Sequence, residues 1–153
     1  MFMKKNIGKI LAVILVVALL ATVLCACVPS DPAKAKANLE KHGYTITPGV
    51  GGILDFGENL GLNTKYEEVV VATNGDEMVT IVYFKTSDDA KSYLKELKNN
   101  RKESKEEIKK AKDEGKIDDA KYKELMKDFN NYKCGRNGKA VYAGTKAGVK
   151  ACN

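Results

Sequence analysis

Two runs of β-branched and aromatic residues, 67–73 and 78–84, are separated only by Asn74-Gly75-Asp76-Glu77. Asn-Gly between two such runs is a strong short-range signal for a β-hairpin, because the turns that match strand twist need positive φ at a central residue. The chain is thereby committed to an antiparallel pair, and the rest must pack on it. Upstream, Asp31-Pro32 reads as an N-cap followed by proline at the first helical position. The helix predicted from there runs to about His42, with Ala33, Ala37 and Leu39 inward, and Gly43 stops it. Residues 44–47, Tyr-Thr-Ile-Thr, alternate in polarity and read as a strand that Pro48 ends.

Downstream, Ser87-Asp88-Asp89 opens a helix with Ala90, Tyr93, Leu94 and Leu97 at helical spacing. Between 98 and 114 only Ile108 and Ala111 interrupt the polar residues. Gly115 breaks this pattern, Asp118 offers a second cap, and Tyr122, Leu125, Met126 and Phe129 form another stripe. Together these predict a helical hairpin whose distal half stands in solvent. Residues 140–143 read as a short strand and 145–151 as a last short helix; no internal repeat is present. Helices that outnumber the strands in length predict an α+β fold: two layers, with an antiparallel sheet of about four strands, helices on one face and a protruding helical hairpin. A ferredoxin-like arrangement is the alternative.

The first residues carry a different message. Lys4, Lys5 and Lys9 stand without an acid before an almost wholly apolar run, 10–24. A basic stretch, an apolar stretch and then small residues make the pattern of a secretory signal peptide. An uncleaved transmembrane helix is the alternative, since 10–28 is just long enough to span. The run ends in Leu24-Cys25-Ala26-Cys27, which resembles the lipobox of bacterial lipoproteins. The resemblance implies leucine at −3, a small residue at −1 and lipidation of the next cysteine. Cys25 is preceded by Leu24, too large for that role, whereas Cys27 is preceded by Ala26. Cys27 is thus the expected lipid acceptor, and two acyl chains there would anchor the chain stably on the outer side of a membrane. The organisation expected is a signal peptide over 1–26, a short tether over 27–31 reaching roughly 15 Å, and one globular domain over 32–153.

Charge must be recounted on that basis. The whole chain has 26 basic and 20 acidic residues, a net +6. Residues 1–26 hold three of the lysines and none of the acids, which leaves 23 against 20, or +3. Half of the basicity belongs to targeting, and a balance of +3 outside the cytoplasm gives no reason to expect nucleic acid as a partner. Removal of 26 from 153 residues leaves 127, the size of one domain. That is too few for a two-lobed solute receptor.

Few residues are equipped for chemistry. His42 is the one histidine, and at a helix C-terminus it is placed to cap carbonyls rather than to act as a base. No serine or cysteine nucleophile can be paired with it from the sequence. Two scattered cysteines and one histidine lack zinc spacing, and residues 113–119 lack the ligand pattern of a calcium loop. Acids such as Asp88-Asp89 and Asp118-Asp119 sit at helix starts, where the dipole favours them. No cofactor, no metal and no catalytic set is expected.

Three features remain as site candidates. The glycine-rich stretch 49–62 has no P-loop lysine and lacks the third glycine of a dinucleotide loop. It reads as a segment packed over the sheet, or as a binding loop with Asp55, Phe56 and Glu58 as its contacts. Lys133, Arg136 and Lys139 surround Gly135 and Gly138, reading as a solvated turn, or as an anion contact for a lipid headgroup or envelope polymer. Cys134 and Cys152 form an even leftover pair in an oxidising compartment and are a disulfide candidate. The function expected is that of a non-catalytic binding or accessory module of the cell envelope, with an unidentified envelope protein or polymer as partner. The alternative is a small envelope hydrolase with a carboxylate site.

Overall fold

The computed structural model describes residues 28–47 and 66–153. The expected signal peptide, Cys25, Cys27 and the stretch carrying Asp55, Phe56 and Glu58 lie outside the described residues. The elements run α1 (Pro32–Lys41), β1 (Thr45–Thr47), β2 (Tyr66–Asn74), β3 (Glu77–Phe84), α2 (Ser87–Asp113), α3 (Asp119–Asn131), β4 (Tyr132–Asn137), β5 (Ala140–Thr145) and α4 (Lys146–Ala151). The fold is α+β. Its sheet has five strands in the order β1-β2-β3-β5-β4, and every neighbouring pair is antiparallel.

The β2–β3 hairpin closes through Asn74 opposite Glu77. Gly75 is the first central residue of the turn, at φ 58, a conformation that glycine adopts without cost. Asp31 caps α1, accepting from the Ala33 amide, and Gly43 ends it at φ 79. The buried residues of α1 are Ala35 and Leu39; Ala33 and Ala37, expected inward, are exposed. Leu39 is the large apolar residue, so it sets the helix rotation. Ala35, one turn earlier, follows it inward.

Strand alternation divides the core between the two sheet faces. On one face Val70, Ala72, Val79, Ile81, Tyr83 and Ala140 meet Ala35 and Leu39 of α1 and Val149 and Ala151 of α4. On the other, Val82, Phe84 and Val141 meet Ala90, with Tyr93, Leu94 and Leu97 of α2 packed against them; the Phe84 and Tyr93 rings lie 5.2 Å apart. Helices therefore cover both faces, and the two-layer expectation gives way to three layers. The fifth strand, β4, lies where the sequence predicts a turn. Its Lys133, Gly135 and Arg136 have weak strand propensity, and its pairing with β5 comes from the tertiary sheet.

The tether expectation also changes. Val28 is wholly buried in the first core. Its carbonyl accepts from Asn137 Nδ2 at 2.9 Å, and the Pro29 carbonyl accepts from the Tyr83 hydroxyl at 3.1 Å. Among the described residues, core packing thus reaches back through the expected tether to Val28.

From Leu97 onward, α2 leaves the two core clusters and runs against α3. No residue of α3 is buried, and the stripe Tyr122, Leu125, Met126 and Phe129 is half-buried. The hairpin is held by two cationic latches. Arg101 lies 4.2 Å over the Phe129 ring and donates to the Phe129 and Tyr132 carbonyls at 2.6 and 2.9 Å. Nearer the tip, Lys112 pairs with Asp119 at 3.0 Å and covers the Tyr122 ring at 4.5 Å.

Candidate functional site

A groove of about 1080 Å³ runs between α1 and α4 over the first face of the sheet. One wall is the α1 stripe Lys34, Asn38 and His42, spaced by four residues so that each side chain lies above the last. Ala147, Lys150 and Ala151 of α4 line it from the opposite side. Pro29 to Asp31 and Asn137 close one end, and Tyr44, Asn74 and Glu77 stand at the other. Asn38 Nδ2 donates to the Cys152 carbonyl at 2.9 Å and so joins α1 to the end of α4.

Glu77 is the unusual member. Along β3 it shares parity with Val79, Ile81 and Tyr83, so its side chain stands on the core face. Among the described residues its Oε2 is the one buried side-chain polar atom without a hydrogen-bond partner. An unpartnered buried carboxylate oxygen forfeits hydration without replacement. Beside it, burial raises the Tyr44 pKa, and the Glu77 and Cys152 charges push it further in the same direction. The Tyr44 hydroxyl therefore stays protonated and able to donate. His42, at the C-cap of α1, uses Nδ1 to donate to the Asn38 carbonyl at 2.8 Å, the capping geometry expected for it, which leaves the other ring nitrogen for the groove.

The expected anion contact does not assemble. Opposed antiparallel residues share a face, so Lys133, opposite Gly144, and Arg136, opposite Val141, stand on different sides of the sheet. Arg136 is already engaged, donating to Ser87 Oγ at 3.0 Å and to the Gly138 carbonyl. Lys139 alone occupies the exposed β4–β5 turn.

The disulfide expectation is overturned by the same rule. Cys134 pairs with Ala143, which lies on the α2 side, whereas Cys152 belongs to the α1–α4 core. The sheet stands between them and both are free thiols. Burial pushes the Cys152 thiol up to about 12, and its Sγ donates to the Gly148 carbonyl at 3.3 Å.

Two acids, Asp31 and Glu77, line the groove, but they do not converge. Asp31 acts on the Tyr83 hydroxyl, and six strand residues, roughly 20 Å, separate Tyr83 from Glu77. Among the described residues no group of three or more histidines, cysteines or acids is placed to hold a metal. Sequence reasoning missed Glu77 as a site residue because it was assigned to the turn. Its parity with Val79 and Ile81 was the available signal. No family model matches the chain, and no curated protein and no solved structure matches it.

Proposed function

We propose that the chain is a lipid-anchored envelope protein whose extracytoplasmic domain is a non-catalytic binding module. The observation that carries this reading is the burial of Val28. Val28, the residue after Cys27, is already packed in the core, as suits a mature chain that would start at a lipidated cysteine. A lipid on Cys27 would hold the domain within one residue, roughly 3.5 Å, of the headgroups. Among the described residues no helix is long and apolar enough to cross a membrane.

The polarity of the fold supports the same arrangement. Val28 is bonded at the end of the sheet where β3 finishes and β4 turns into β5. The α2–α3 hairpin projects past the opposite end, and the 27 residues of α2 carry its tip up to about 40 Å away. The groove opens between these poles. The separation of Asp31 from Glu77 supports a binding surface over a hydrolase of the paired-carboxylate kind, whose two acids flank one bond. Metabolic labelling with a fatty acid tests the anchor. Cys27→Ser is expected to abolish the label and leave unprocessed precursor, and Cys25→Ser to keep it. Loss of label in the Cys25 variant alone overturns the assignment.

A further inference from the structure

We propose that the α1–α4 groove binds a short extended peptide, whose ammonium group sits on the Glu77 carboxylate and whose carboxylate lies between Lys34 and Lys150. This deepens the reading as a binding module and does not depend on lipidation at Cys27.

The ammonium end follows from Glu77. Its buried Oε2 has no donor among the described residues, and a charged donor from a ligand would supply the missing hydrogen bond in a site of low dielectric. A divalent cation is a poor match, because it takes several oxygen ligands, usually with more than one carboxylate. At this end Glu77 is the single acid lining the groove among the described residues. An ammonium group needs one carboxylate and neutral acceptors, which the Tyr44 hydroxyl oxygen and the Asn74 side-chain carbonyl can provide.

The carboxylate end follows from the two lysines. Both Lys34 and Lys150 are exposed, and neither appears in an ion pair among the described residues. Asp31 shares this end, but its side chain is occupied in capping α1 through the Ala33 amide. A ligand anion in the groove thus meets two lysines that make no ion pair among the described residues.

The length follows from α1. Lys34 and His42 lie eight residues apart on one helix face, or about 12 Å. An extended chain advances about 3.4 Å per residue, so roughly four residues join the two charged ends. Along the groove the walls offer small apolar surface at Ala147 and Ala151, and the Asn153 side-chain amide for a peptide backbone.

The one histidine of the chain lines this groove, so a histidine-selective isotope label gives a single NMR reporter at the site. The full chain in detergent micelles is titrated with tetra-alanine while the His42 ring signals are followed. A saturable shift is expected. N-acetyl-tetra-alanine, which lacks the ammonium, should bind at least about tenfold more weakly, as should tetra-alanine to Glu77→Gln, the loss of one charged hydrogen bond. No saturable shift, or equal binding of the acetylated peptide to the unsubstituted protein, overturns the proposal. The same titration on Cys27→Ser should give unchanged affinity, so a failed anchor assignment and a failed groove assignment remain distinguishable.

Discussion

The Arg101 guanidinium reaches from the middle of α2 to the end of α3, where it satisfies two carbonyls and stacks on Phe129. Helix ends leave carbonyls without partners, and hydrogen bonds from a charged donor contribute about 1.5–3 kcal/mol each. Because Arg101 is half-buried, the lower part of that range applies to the pair. Arg101→Ala should therefore cost about 2 kcal/mol in denaturant unfolding, and Arg101→Lys should recover only part of it, since an ammonium lacks the planar fork. Cys152 makes a second prediction. In the folded state its proton is held up to about 12, against an ordinary 9.0. The raised value means that its contribution to stability is complete below pH 9 and lost as pH rises from about 9 to about 12. Tyr44 and Tyr93 are raised by burial as well and act in the same direction. Alkaline titration followed by circular dichroism should show stability falling from pH 9 upward. Alkylation at neutral pH should modify Cys134 in the folded protein and Cys152 only after denaturant is added. Mass analysis that finds a Cys134–Cys152 bond in the non-reduced protein would contradict the sheet between them.

At the scale of elements, α4 illustrates how a six-residue helix is held. It is too short to be stable alone. Thr145, almost wholly buried, caps it by accepting from the Gly148 amide at 3.2 Å, and bonds Met78 through both its amide and carbonyl. Close approach completes the seat: a Cβ on Gly148 would stand 2.6 Å from the Met78 carbonyl oxygen, and one on Gly144 would stand 2.7 Å from Val79 Cα. Both obstacles are backbone of the central strand and cannot swing aside. Alanine favours a helix over glycine by about 1 kcal/mol, while overpacking costs about 1–3 kcal/mol. Gly148→Ala should accordingly lose up to about 2 kcal/mol net in chemical denaturation. A stabilised variant would mean that α4 stands off from β3. The helix was legible in the sequence over 145–151, but its Thr145 cap and the contact that requires Gly144 and Gly148 were not. That contact depends on β3, more than sixty residues earlier.

At the scale of the molecule, the core and the α2–α3 hairpin are separable. Both core clusters lie against the sheet and end at Leu97, while the hairpin beyond is carried by ion pairs on exposed side chains such as Lys102–Glu106 and Lys121–Glu124. Exposed pairs of this kind contribute little. Replacing residues 105–124 with a short Gly-Ser turn keeps the Arg101 latch and Phe129. The melting temperature of that variant in calorimetry should fall by about 5 °C or less. A collapse of the fold would show that the distal hairpin supports the sheet. The hairpin was readable because its polar run, its opening acids at 88–89 and its cap at Asp118 are local properties of consecutive residues; the Thr86 cap came from the structure.

The sequence by itself determined what depends on near neighbours: the β2–β3 hairpin, the caps and stops of the helices, the solvated arm and the α+β class. The tertiary structure alone decided what depends on pairing across the chain. It recruited residues 132–137 into a fifth strand through β5, put helices on both faces of the sheet and drew Val28 into the core. It set Cys134 and Cys152 on opposite sides of the sheet, and it placed Glu77 against Tyr44 at the end of a groove. The reason is physical. A strand's faces are identical until a register assigns one to each neighbour, and no residue's local preference carries that register.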